Sequence, residues 1–172
     1  MSSETVLRPR ISSSVFIAEG ARIYGDVRVN DRASIWFNAV IRGDEGPVLI
    51  ECEVSIQDNV VVHSDLGYGA HIGNKVNIGH GAVIRGCLIE DNVMVGMNAT
   101  VMTSAKIGAQ SIVGANAMVG YGKKFPPRSL ILGVPAQKVR ELTERELEMN
   151  NIATVTYQSL VQRYLSGEIK SF

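Results

Sequence analysis

Aliphatic residues recur along this chain every six positions. The beat runs Ile11, Ile17, Ile23, Val29, Ile35 and Ile41, resumes after an insertion at Ile50, Ile56 and Val62, and resumes again after a longer insertion at Ile72, Ile78 and Ile84. A five-residue step reaches Ile89, and Val95, Val101, Ile107, Val113 and Val119 complete it. Period six fits neither the helical repeat nor the alternation of a single strand. It predicts a coil of short, near-identical rungs. The position four after each beat residue is also small or apolar (Ala33, Val54, Val60, Val76, Ala82, Ala99, Ala105, Ala117), and the position just after it is often glycine (Gly73, Gly79, Gly96, Gly108, Gly114). Each rung therefore reads as a short strand and a corner. Glycine there would allow unusual dihedrals or close backbone approach. Three rungs per coil make a triangular prism, with successive coils hydrogen-bonded at about 4.8 Å. Stacking buries a continuous apolar line that no single repeat could bury alone.

The beat is expected to end near Gly122. Residues 123–142 hold Pro126, Pro127 and Pro135 and read as a connector leaving the prism. From 143 to 172 the pattern is helical. Thr143 and Glu146 form a capping box. Leu142, Leu147, Ile152, Val155, Tyr157, Leu160, Val161 and Tyr164 predict one or two amphipathic helices packed on the prism. The expected organisation is a β-helix domain over 1–122, the connector, and a helical segment.

Composition narrows the function classes. Among 172 residues, 17 Lys and Arg balance 17 Asp and Glu, so no net field recruits nucleic acid or a membrane surface. No apolar run is long enough to span a bilayer. The opening MSSETVLRPR has no apolar core of a secretory signal, and Cys52 and Cys87 have no CxxC spacing, which together point to reduced thiols in the cytoplasm.

Counting in threes places Ile41, Val62 and Ile84 on one wall of successive coils. Their following residues, Arg42, His63 and Arg85, should stand outward in one column. Gln57-Asp58 and Gly79-His80 fall on the preceding wall. A polar cluster interrupting a regular repeat marks either a functional site or a salt-bridged subunit interface.

The beat resembles that of the hexapeptide-repeat superfamily, which implies an all-β fold, the left-handed parallel β-helix. Handedness comes from the resemblance alone, since the usual crossover rule favours the other hand. The blocks AVIRGDEG (39–46), SIQDNVVVHS (55–64), IGNKVNIGHGAVIRGC (72–87), VGMNATVM (95–102), SIVGANAMV (111–119) and LILGVPAQKVREL (130–142) are similar to those of the gamma-class carbonic anhydrases and their relatives of phenylacetate or carnitine operons. That family binds zinc, or iron or cobalt in some members, through three histidines at the interface of a homotrimer, two from one chain and one from its neighbour. The resemblance implies His63 and His80 as two of the ligands. The third family position, in His-Gly-Cys, is Arg85-Gly86-Cys87 here. A guanidinium has no lone pair to donate. His71 is the remaining histidine and a conceivable substitute, carried in by a flexible loop. Arg85 is expected to pair with Asp44, Glu45 or Asp58. By resemblance, Gln57 would hydrogen-bond the metal-bound hydroxide that attacks carbon dioxide. Glu45 would export the proton as bicarbonate forms, and Arg42, Asp44 and Asp58 would tie the trimer together. Asn98 and Tyr121 could line the cleft, and Cys87 reads as a packed thiol. Two alternatives stay open: a hexapeptide acyltransferase using acyl-coenzyme A, with His71 as its base, and a non-catalytic carbonic anhydrase-like assembly protein.

Overall fold

The computed structural model describes residues 6–171; residues 1–5, on which the reading of the opening segment partly rests, lie outside it. In chain order the first strands are β1 (Arg10–Ile11), β2 (Phe16–Ile17), β3 (Arg22–Val29), β4 (Ser34–Ile35), β5 (Val40–Ile50), β6 (Ser55–Ile56) and β7 (Val61–His63). Next come β8 (Ala70–Ile72), β9 (Asn77–Ile78), β10 (Val83–Arg85), β11 (Leu88–Ile89), β12 (Met94–Val95) and β13 (Thr100–Val101). The chain ends with β14 (Lys106–Ile107), β15 (Ile112–Val113), β16 (Met118–Val119), β17 (Lys124–Phe125), β18 (Ser129–Leu132), β19 (Gln137–Glu141) and one helix, α1 (Glu144–Leu165).

These strands form the three walls of a left-handed parallel β-helix. One wall runs β2-β4-β6-β9-β12-β15-β18, seven parallel rungs deep. The long strands β3 and β5 bend around a corner and so join the other two walls into one sheet. One of those walls runs from the start of β5 through β7, β10, β13 and β16; the other runs from the end of β5 through β8, β11, β14 and β17. The beat residues fill the interior: Ile35, Ile41, Ile56, Val62, Ile72, Ile78, Ile84, Ile89 and Val95 are fully buried. At the two N-terminal rungs the beat residues Ile11 and Ile17 stay exposed, because no earlier coil among the described residues covers them.

The corners are made differently from the expectation. The left-handed residue lies three after the beat and is seldom glycine: Asn38, Asn59, Asn92, Asn98 and Asn116 have φ between 55° and 59°. Asparagine tolerates this region better than other residues with a Cβ. The glycine just after the beat serves close approach instead. A Cβ on Gly79 would lie 2.8 Å from Met97 N, and one on Gly96 would lie 2.7 Å from Gly114 C.

The prism also extends past Gly122. β17 pairs in parallel with β14, and β18 with β15, so residues 123–142 are not a connector. Phe125 and Ile131 continue the six-residue beat after Val119, and both are buried. Only β19 departs, folding back antiparallel on β18.

The helix begins with the expected capping box. The Thr143 side chain accepts from Glu146 N–H, and the Glu146 carboxylate accepts from Thr143 N–H. It then runs back along the first wall from the last coil toward the first. Asn150 donates to the carbonyls of Asn92 and Ser111. Thr154 accepts from Asn77 Nδ2 at 2.9 Å, and Gln158 donates to Arg32 O. Tyr157 and Tyr164 pack edge-on to Trp36, and Tyr164 also reaches Phe16. Thus Leu147, Asn150, Thr154 and Val161 are the buried face, while the predicted Ile152 and Val155 are exposed. No helix is long and apolar enough to cross a membrane.

Candidate metal centre

Strands β5, β7 and β10 lie side by side with Arg42 opposite His63 and His63 opposite Arg85. The preceding residues, Ile41, Val62 and Ile84, point into the core, so these three heads stand outward in one column. His63 Nε2 is 2.9 Å from Asp44 Oδ1 and 3.3 Å from Arg42 Nη2, with Glu45 Oε2 at 3.9 Å. Arg42 Nε donates to Asp44 Oδ2 at 2.9 Å. The hydrogen bond with His63, and then that from Arg42, hold the Asp44 carboxyl below the usual carboxylate range.

Arg85 does not pair with Asp44, Glu45 or Asp58. Its Nη2 donates to Asp65 Oδ1. The insertion after β7 turns back at once, with Asp65 and Tyr68 exchanging backbone hydrogen bonds of 2.8 and 2.9 Å. That turn sits over Gly86, where a Cβ would come within 3.0 Å of Tyr68 O. Asp44, meanwhile, is already held by Arg42 and His63. Thr103 donates to the other Asp65 oxygen. The donor atoms of Glu45, His63 and Asp65 all lie within 4.8 Å of one another, the one such group among the described residues.

His80 is elsewhere. It follows β9 at a corner, with Nδ1 2.8 Å from Asp58 Oδ2 and Nε2 3.5 Å from the Tyr157 hydroxyl. Asp58 Oδ1 also accepts from Phe37 N–H, so Asp58 serves His80 and a turn, while Arg42 pairs with Asp44. Gln57 is buried and lines a cleft of about 230 Å³ with His80, Gly79, Met97, Ala115 and Ala153. Burial, then the charge of Asp58, push the Tyr157 phenol up to about 12, so it stays a neutral donor near His80. Sequence reasoning placed Tyr157 only on the helix's apolar stripe; its helical position facing a rung with a histidine was the available signal. Asn98 forms a corner and Tyr121 is exposed, and neither lines this cleft.

His71 is no loop residue. It is the middle of β8, between Leu49 and Leu88 on another wall, with Nε2 3.3 Å from Glu51 Oε1. Cys87 is buried, and burial pushes its thiol up to about 12, which leaves it unreactive.

The donor set suits a divalent ion. Imidazole and carboxylate ligands bind zinc, iron and cobalt. A ligating histidine is commonly oriented by a carboxylate on its other ring nitrogen, as Asp58 orients His80. Arg85 donates nothing to a cation, and Asp65 stands next to it.

The chain is similar to known proteins over most of its length. The family model "Bacterial transferase hexapeptide (six repeats)" matches residues 86–121. The chain is 57% identical over 138 residues to the "Probable carbonic anhydrase" of Methanocaldococcus jannaschii, covering 80% of this chain and 87% of that one. It is 34% identical over 170 residues to "Gamma carbonic anhydrase 2, mitochondrial" of Arabidopsis thaliana, covering 95% of this chain and 61% of that protein's length. Among solved structures, a hexapeptide transferase family protein from Anaplasma phagocytophilum superposes with a TM-score of 0.88 at 35% identity, covering 92% of this chain and 93% of that one. With the β-helix, the Arg42–His63 column and these relatives in place, the chain belongs to the gamma-class carbonic anhydrase family of hexapeptide-repeat proteins.

Proposed function

We propose that this chain is a metal-dependent carbonic anhydrase-like protein that interconverts carbon dioxide and bicarbonate at the seam between copies of a homotrimer. One observation carries the reading. Two outward imidazoles, His63 and His80, sit apart in a single chain, each dressed by carboxylates, and His80 is not in the donor cluster around His63. A seam in which one copy supplies His63 and the next supplies His80 uses both. His63 and His80 would hold zinc, iron or cobalt there, and the metal would supply a bound water with its pKa lowered toward about 7. The protein supplies the rest. The cleft beside Gln57 is mostly apolar and suits a small uncharged substrate. The Gln57 amide orients the reacting oxygens, and the half-exposed Glu45 carboxylate accepts the proton and passes it to water. Arg42, Asp44 and Asp58 order the two imidazoles and the seam. The unpaired Cys52 and Cys87 support a reducing, cytoplasmic setting.

Elemental analysis of the purified protein, light scattering and stopped-flow hydration of carbon dioxide test this together. Bound metal, a trimer and metal-dependent turnover are expected. A metal-free trimer without turnover would instead mark a non-catalytic assembly protein, and a monomer would remove the seam. One observation favours an acyltransferase as second reading: the His80–Asp58 pair borders the apolar cleft, a general base beside room for an acyl chain. Binding of acetyl-coenzyme A by the metal-free protein would support that reading.

A further inference from the structure

We propose that Asp65 is the third protein ligand of this metal site, with Arg85 as its positioning residue. The proposal rests on the metal reading above. The third place in the column is held by a guanidinium, which carries no lone pair. Arg85 draws a carboxylate to that place. Asp65 takes one hydrogen bond from Arg85 on Oδ1 and one from Thr103 on Oδ2. A carboxylate has about four lone-pair sites, so both bonds can persist while an oxygen faces the cation. Its donor atom is already within 4.8 Å of those of His63 and Glu45.

Charge argues in the same direction. Arg85 alone would repel a divalent ion. Arg85 with Asp65 is a neutral unit, as an imidazole is, so the field at the site is close to that of a three-histidine centre. Rigidity separates Asp65 from Glu45. Asp65 is held by two side-chain donors and by the backbone bridge to Tyr68, and its side chain is 18% exposed. Glu45 makes only the 3.9 Å approach to His63 and is 52% exposed, which suits a group that must swing and release a proton. Two imidazoles and one carboxylate, with room for water, form a donor set that accepts iron(II) and cobalt(II) as well as zinc.

The test is titration of metal-depleted protein with cobalt(II) chloride, followed by visible absorption and by metal retained after desalting. Wild type is expected to bind one cobalt per chain. Asp65→Asn is expected to weaken binding more than about 100-fold, beyond the 10–100-fold typical of groups outside the ligand set, and to change the cobalt absorption bands. That substitution also leaves Arg85 unbalanced. The companion Asp65→Asn with Arg85→Gln keeps the net charge, and it is expected to remain at least about tenfold weaker than wild type. A companion variant that binds like wild type would show that Asp65 acts through charge alone and would overturn the proposal. So would an undiminished Asp65→Asn. A wild type that takes no cobalt would overturn the metal reading itself, and this proposal with it.

Discussion

Two glycines in the same position of the repeat should respond oppositely to alanine. Gly96 and Gly120 each follow a beat residue, Val95 and Val119. At Gly96 an added Cβ would lie 2.7 Å from Gly114 C and 2.9 Å from Ala115 Cα, all backbone of the next coil. Ordinary carbon contacts lie at about 3.5–4.0 Å. The coils must therefore part locally by about 1 Å out of a spacing of about 4.8 Å. That stretches the bonds Gly96 N→Val113 O and Asn116 N→Met97 O, now 2.7 and 2.9 Å. Overpacking of this kind costs about 1–3 kcal/mol, and the loss of rigid backbone bonds places Gly96→Ala near the upper end. At Gly120 the nearest atom is the flexible Lys123 Cγ at 4.0 Å. Gly120 φ is not left-handed, so Gly120→Ala should gain about 0.4–1 kcal/mol by restricting the unfolded chain. For a chain of this size 1 kcal/mol moves the melting temperature by about 2–4 °C. Scanning calorimetry at one fixed protein concentration should find Gly96→Ala lowered by roughly 4–12 °C and Gly120→Ala raised by roughly 1–4 °C. A Gly96→Ala protein melting at or above Gly120→Ala would refute the claim that coil spacing selects glycine there.

Arg85→His puts an imidazole directly in the third place of the column, where it supplants the carboxylate that Arg85 holds, so zinc affinity and carbon dioxide hydration should both rise; calorimetric titration showing no tighter zinc binding would reject this column as the ligand face. Glu146 has its pKa lowered from 4.5 to about 2, first by Arg140 and then by Thr143 at the helix start. A depressed folded pKa stabilises above about 4.5 and is lost as pH falls toward 2. Denaturation followed by circular dichroism should therefore find Glu146→Ala less stable than wild type at neutral pH, with the gap closing in acid; a gap independent of pH would be evidence against the cap. In the native protein a thiol reagent should label Cys52, while the buried Cys87, its thiol at about 12, reacts only on unfolding. Fast labelling of both would contradict the packing of Cys87.

The prism was legible because its interior obeys one rule, and each beat residue from Ile35 to Val119 is buried. The end of the prism was misread because Pro126 and Pro127 look like an exit, yet the same beat passes through Phe125 and Ile131. The better turn signal was the constant place of Asn38, Asn59 and Asn98, three after a beat residue, and not the corner glycines. The helix's docked face was hidden for a different reason. Asn150 and Thr154 dock by satisfying rung carbonyls and the Asn77 amide, and hydrophobic periodicity cannot register that. At the site, the counting rule put Arg42, His63 and Arg85 in register. The partner of Arg85 lies in an insertion, where the period lapses, so Asp65 could be found only from the turn that folds it back.

A stack of coils that touch only their neighbours could fray from either end, coil by coil. Here α1 spans 22 residues, about 33 Å at 1.5 Å per residue, close to the depth of seven rungs at about 4.8 Å. It is anchored at Asn92 and Ser111, at Asn77, at Arg32 and at Phe16. Losing an outer coil would therefore also loosen contacts several coils away. The strap converts a chain of short-range links into a unit that melts cooperatively.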